Sequence, residues 1–145
     1  MNILLLTNCL PEPDDREKGV TPVVSYFAKE WSALGHNVII IHNSSKFFLI
    51  FYFLPGFFYN WLRKRMNTAI PSVSSRKSLS RIEKNIEIHR LPMFRWFPGA
   101  PFAKIQYKKQ QKRIQNILNV KNFMPDVISG HWMVPQLELV ERLGK

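Results

Sequence analysis

The chain is poor in the residues that most often announce a chemistry. Among 145 residues there is one cysteine, Cys9. One thiol excludes a disulfide framework within the chain and a thiolate metal cluster, and it suits a reducing compartment. Cys9 itself reads as a small apolar residue at a strand end rather than as a nucleophile. Acidic residues are scarce, 10 against 21 Lys and Arg. Asp14, Asp15 and Glu17 share one loop and read as solvated charges. No metal-ligand spacing occurs. Neither GxGxxG nor GxxxxGK[ST] is present, so a conventional dinucleotide or ATP site is not supported. No apolar run reaches the roughly 20 residues of a spanning helix. The opening MNILLLTN carries no basic leader, so a cytoplasmic location is expected.

What is present is a globular composition with a strong positive bias. Hydrophobic residues make up 46%, charged residues 21%, and the formal net charge is +11. That excess on a small domain suggests a polyanionic partner, either nucleic acid or an anionic membrane surface.

Hydrophobic patterning gives an alternation of strands and helices. Met1–Thr7 is a continuous apolar run, as expected for a strand covered on both faces. A proline-containing charged loop follows, and Thr21-Pro22 is expected to open a helix, with Thr21 as N-cap. Val24, Phe27, Ala28, Trp31 and Leu34 give that helix an apolar face, and Gly35 supplies its left-handed end. Asn37–His42 is the next buried strand. Strand, helix and strand so closely spaced predict a right-handed parallel βαβ unit.

The middle of the chain is irregular. Phe47–Leu62 (FFLIFYFLPGFFYNWL) is densely aromatic, interrupted by Pro55-Gly56 and followed by Arg63, Lys64 and Arg65. The expectation is an interfacial segment touching a membrane through Phe51, Phe53, Phe57 and Trp61 with those three cations; the competing reading folds the insertion onto the domain's own surface. Residues 67–80 read as a mobile polar loop. Ile86–Leu91 alternates as a strand and RWFPGAP is a turn. Phe102–Val120 forms a helix with an apolar stripe of Ile105, Tyr107, Ile114, Ile117 and Leu118 and a basic remainder, and Val127–Ser129 is a short strand. A last helix spans about Pro135–Leu143, with Gly144 as its cap.

Ligands of an open parallel sheet collect beyond the carboxyl ends of its strands. Three segments converge there: Asn8–Gly19, His42–Ser45 and Gly130–Val134. Gly19, before the first helix, lets an anion approach free backbone N–H groups. His131, between strand and helix, is aimed at the same edge and suits a bond to a hydroxyl or carbonyl. His42 ends a strand and lines the cleft. His36 is expected to be exposed, and His89 to fill space within a strand.

Taken in order, these pieces resemble a known family. Lys18-Gly19-Val20, then Gly35-His36-Asn37-Val38, is similar to the GG-V and GHxV segments that open family-4 retaining glycosyltransferases. Ile86–Pro92 resembles that family's next strand. Pro125-Asp126-Val127-Ile128 with His131-Trp132 resembles its PDVIHxH(W) segment. The likeness covers both ends of the chain and thins out over about residues 43–85. It implies an α/β fold, a Rossmann-like parallel sheet with helices on both faces, forming a partial N-terminal (acceptor) domain of a GT-B fold. By the same likeness His131 lies beside the reacting sugar, Gly19, Lys18 and Asn8 face the donor phosphates, and Trp132 and His42 face the acceptor. The partners implied are a nucleotide sugar, as co-substrate rather than cofactor, and a glycan or lipid-linked acceptor of cell-surface polysaccharide or glycolipid synthesis, at the inner face of the membrane. No metal is implied. Lys18 stands where the family has glycine, and no E-x7-E segment occurs in the matching context, so the donor-holding domain would lie beyond Lys145 and the 145-residue chain alone is expected to transfer no sugar. Two rivals remain. One is a non-enzymatic basic Rossmann-like module for nucleic acid or anionic membrane, disfavoured for nucleic acid because the aromatics are bunched rather than interleaved with cations. The other is a flavodoxin-like or response-regulator domain, which lacks an acidic cluster at a strand tip.

Overall fold

The computed structural model describes residues 1–11, 22–66, 73–131 and 134–144. Its centre is a five-stranded sheet in the order β4-β5-β2-β1-β7. β1 (Asn2–Thr7), β2 (Asn37–His42), β5 (Ile86–Arg90) and β7 (Val127–His131) are parallel, and β4 (Leu79–Glu83) is an antiparallel edge. The protein is therefore mixed α/β with a mostly parallel sheet, an arrangement compatible with a Rossmann-like fold.

The unbroken apolar runs of β1 and β2 follow from burial on both faces. Leu4, Leu6, Ile39 and Ile41 point to one side, where Ile114 and Leu118 of α3 (Lys104–Val120) and Leu139 of α4 (Gln136–Leu143) meet them. Ile3, Leu5, Val38 and Ile40 point to the other, against Val24 and Ala28 of α1 (Val23–Ala33).

Helix ends explain several boundaries. α1 closes with Gly35 at φ +81°, while His36 N–H donates to the Trp31 carbonyl and Gly35 N–H to that of Ser32, both at 3.0 Å. That pair of bonds is a Schellman motif, and only a left-handed residue completes it cheaply. Asn122, at φ +48°, does the same for α3, with Phe123 N–H donating to the Leu118 carbonyl. Gly144 also caps its helix, but in the right-handed region at φ −83°.

The structure corrects some expectations. Pro22, not Thr21, holds the N-cap position of α1, and Thr21 lies outside the described residues. Phe27 and Leu34 are exposed rather than part of the packed face, and Phe27 stacks on the half-buried Trp31 at 5.9 Å. Ile105 is likewise exposed on α3. His36 is half-buried rather than exposed. Of the expected mobile loop, residues 67–72 lie outside the described residues, Val73–Arg76 is a single 3-10 turn and Leu79–Glu83 is β4. β4 turns into β5 through Lys84 and Asn85, both at positive φ, the two-residue turn that matches strand twist. Two short strands, β3 (Ser45–Lys46) and β6 (Met93–Phe94), pair in parallel beyond the carboxyl ends of β2 and β5.

The aromatic run folds as a 3-10 turn, Leu49–Tyr52, followed by α2 (Gly56–Met66). Phe47 and Tyr52 are buried in a small cluster of their own, so part of the run packs on the domain. No helix among the described residues is long and apolar enough to cross a membrane.

Candidate functional site

The chain runs from β1 outward through β2 to β5, then returns to place β7 on the other flank of β1. The crevice at such a reversal, beyond the carboxyl ends of the strands, is where open α/β sheets hold ligands. Register brings three strand ends level there: Thr7 faces His42 on one side and His131 on the other.

Thr7 is fully buried and ties the edge together. Its Oγ1 accepts the Cys9 backbone N–H at 3.0 Å and lies 3.3 Å from both the Cys9 carbonyl and His131 Nδ1. If the hydroxyl donates to the carbonyl, it accepts from His131 Nδ1–H and Nε2 carries the lone pair. If it donates to Nδ1, Nε2 carries the proton. Either way the ring is oriented through Nδ1, as a histidine that must present Nε2 in one direction requires. Asn8 Nδ2 donates to the Val134 carbonyl at 3.3 Å, joining the loop after β1 to the approach to α4. Burial pushes the Cys9 thiol above its ordinary pKa, which opposes a nucleophilic role.

Beneath this edge lies a buried polar chain. Asn43, directly after β2, donates through Nδ2 to Gln136 Oε1 (3.1 Å) and accepts at Oδ1 from Gln110 Nε2 (2.6 Å). Gln110 also donates to the Leu91 carbonyl (2.9 Å) and accepts from Arg113 (3.0 Å), which in turn donates to the Pro92 carbonyl and Ser78 Oγ. Burial pulls the Arg113 guanidinium below its usual pKa. Gln136 is fully buried, and its Nε2 has no hydrogen-bond partner among the described residues. Gly130 packs closely beside it: a Cβ there would lie 3.1 Å from Val140 Cγ2 and 3.3 Å from Gln136 Cβ, so both would have to give by a few tenths of an ångström. The missing side chain lets α4 sit directly on β7 and fixes the strand end that carries His131.

Of the expected site residues, Asn8, His42 and His131 come together at this edge. His42 is buried rather than open to the crevice. Gly19, Lys18 and Trp132, with the acids Asp14, Asp15 and Glu17, lie outside the described residues. Phe53, Phe57, Trp61, Lys64 and Arg65 are exposed, Phe51 is half-buried, and the Arg63 side chain lies outside the described atoms. No cluster of three or more His, Cys, Asp or Glu able to hold a metal occurs among the described residues. An open groove lined by Phe123, Met124, Ile128 and Val140 lies at the amino ends of the strands, away from these groups. Thr7, Asn43, Gln110 and Gln136 are the residues that sequence reasoning missed. Only the position of Asn43, directly after a buried strand, marks any of them.

No protein-family model matches the chain, and neither a curated protein nor a solved structure matches it.

Proposed function

We propose that this chain forms the acceptor-side, Rossmann-like domain of a GT-B-type glycosyltransferase of the family-4-like retaining kind. Such an enzyme moves a sugar from a nucleotide-sugar donor to a cell-surface glycan or lipid-linked acceptor on the cytoplasmic side of the membrane. The observation that carries the reading is His131: it ends β7, at the reversal beside β1, with its ring bonded to the buried Thr7 hydroxyl. An imidazole held there suits a hydrogen bond to a sugar hydroxyl or a carbonyl near the reacting carbon. The Gly19 backbone and the Lys18 side chain are proposed to meet the donor diphosphate, whose charge helix N-termini and cations stabilise without a metal.

Titrating the labelled protein with uridine and guanosine diphosphate sugars tests this by NMR. The expected result is a saturable shift of the His131, Thr7 and Asn8 resonances that His131→Ala weakens by about tenfold, one hydrogen bond's worth. Unmoved resonances at this edge, together with a steeply salt-dependent response of the α3 lysines to single-stranded oligonucleotides, would replace the reading with a nucleic-acid module. Sugar transfer by the 145-residue chain alone would overturn the assignment to the acceptor side only.

A further inference from the structure

The insertion that leaves the sheet after β2 is built to hold apolar side chains out, not in. Its base is pinned. Phe47 is fully buried, its backbone N–H donates to Tyr52 Oη at 3.0 Å, and the Arg76 guanidinium lies 5.3 Å from the Tyr52 ring centroid. Between these two anchors the 3-10 turn presents Leu49 and Ile50, and Phe53 directly follows it; Ile50 is 69% and Phe53 74% exposed. On α2, Phe57 is 77% exposed and Trp61 also stands out, its ring packed on Phe58 at 5.5 Å. A second strand of chain joins in. Phe48 packs edge-on to Phe94 at 5.0 Å and lies 5.8 Å from Trp96, and Trp96 and Phe97 are themselves exposed. Isolated exposed apolar residues need no explanation, but aromatic and aliphatic side chains gathered on two neighbouring segments do.

Charge decides what this surface faces. No Asp or Glu occurs between Glu30 and Glu83, nor between Glu87 and Asp126, the stretches that supply every residue just named. Exposed cations follow the aromatics along the chain instead: Lys64 and Arg65 come after Trp61 on α2, and Lys104, Lys108, Lys109 and Lys112 line the first half of α3, which begins shortly after Trp96 and Phe97. A second copy of a chain with net charge +11 would be repelled from this surface. Nucleic acid has no use for Leu49, Ile50 and Phe53 at a turn tip. Hydrocarbon beneath a layer of anionic headgroups suits both halves of the pattern.

We infer that this surface docks on an anionic lipid bilayer, with Leu49, Ile50, Phe53 and Phe57 entering the headgroup–acyl boundary and the α2 and α3 cations resting on the headgroups. β3 and β6, from which the two aromatic segments spring, continue β2 and β5 past their carboxyl ends, so docking brings the bilayer to the same edge of the sheet as His131. The inference does not depend on sugar transfer.

Vesicle sedimentation tests it, with phosphatidylcholine alone and mixed with phosphatidylglycerol, neither containing a glycan acceptor. The protein is expected to bind the anionic vesicles, less tightly but still measurably at high salt, with Trp61 and Trp96 fluorescence quenched by acyl-brominated lipid. Phe53→Ser and Phe57→Ser should each weaken binding by about tenfold or more. Lys64→Ala and Arg65→Ala should each weaken it by about fivefold on the anionic vesicles only. All four side chains are exposed, so circular dichroism should be unchanged. Failure to bind either vesicle, binding indifferent to the two serine variants, or a dimer in sedimentation equilibrium that those variants dissolve would each overturn the inference.

Discussion

Around Asn43 polar groups are inside the protein; a few residues later, around Ile50 and Phe53, apolar groups are outside. Both regions invert the usual partition, and they do so for different physical reasons. The polar groups at Asn43, Gln110 and Arg113 tolerate burial because their hydrogen bonds are returned by one another and by backbone carbonyls. The apolar groups at Ile50 and Phe53 have no such compensation among the described residues. Their exposure contributes nothing to folding, and so it speaks of what lies outside the fold. Buried polarity here is a matter of stability, and exposed apolarity is a matter of encounter.

That contrast can be broken by substitution. The largest effect is expected from Gln110→Leu, which leaves Asn43 Oδ1, the Leu91 carbonyl and the Arg113 guanidinium each short of a partner. A loss of about 3 kcal/mol is expected in urea unfolding. A loss below 1 kcal/mol would mean that water reaches the network and that the interior is not what holds it. Gly130→Val should cost about 2 kcal/mol, since its side chain must push Val140 and Gln136 away from β7. Displacement of α4 should also disturb the Thr7–His131 bond, visible as a changed His131 ring environment. An unchanged ring would show that strand register alone orients the histidine.

A smaller effect concerns His89, buried on β5 with Nδ1 2.8 Å from Ser80 Oγ and Nε2 3.1 Å from Glu87. Burial lowers its pKa first, Glu87 raises it back in part, and Lys121 lowers it. A lowered value in the folded state means that the unfolded chain binds the proton more readily. Stability is then full above the ordinary histidine pKa and declines as pH falls below about 6.5. The urea midpoint should drop on going from about pH 7 to about pH 5.5, above the ordinary carboxylate range. Glu87→Gln should steepen the drop, and His89→Gln should flatten it. A steeper drop in His89→Gln would assign the acid sensitivity to another group. Smallest of all, Phe53→Ser is expected to leave stability within about 0.5 kcal/mol, in contrast to its effect on vesicle binding. A clear destabilisation would move Phe53 from the encounter surface into the folding core.

Much of the frame was legible in the sequence. The continuous apolar runs of β1 and β2 require two covered faces, and Gly35 stands where a left-handed residue ends α1. His131 was visible as the residue between a strand and a helix at the carboxyl edge of the sheet, and it proves to be the last residue of β7 itself. What was hidden has a common cause. β4 carries only Leu79 and Ile82 among polar residues, and both are exposed, so no periodicity announces it; its existence rests on pairing with β5 and on the turn at Lys84 and Asn85. Gln110 and Gln136 look like solvated helix positions until the partner that receives them is in place. Phe27, Leu34 and Ile105 fit an apolar stripe by spacing, yet no described element covers them. Spacing reports which side chains can be buried together, and only the tertiary neighbours decide which are.

The register of β5 has a consequence for the insertion. His42, at the end of β2, and Leu79, at the start of β4, both lie opposite Arg90 on its two flanks. Two strand spacings separate them, roughly 10 Å. Past Asn43, which belongs to the buried network, the chain leaves the sheet, and by Ser78, which accepts from Arg113, it is back at nearly the same point. A segment attached in that way is close to a cassette: its length and character can change while the strands on either side keep their places. The apolar display and the His131 edge can thus vary independently of each other, one by exchange of the cassette and the other by point changes in a frame that stays fixed.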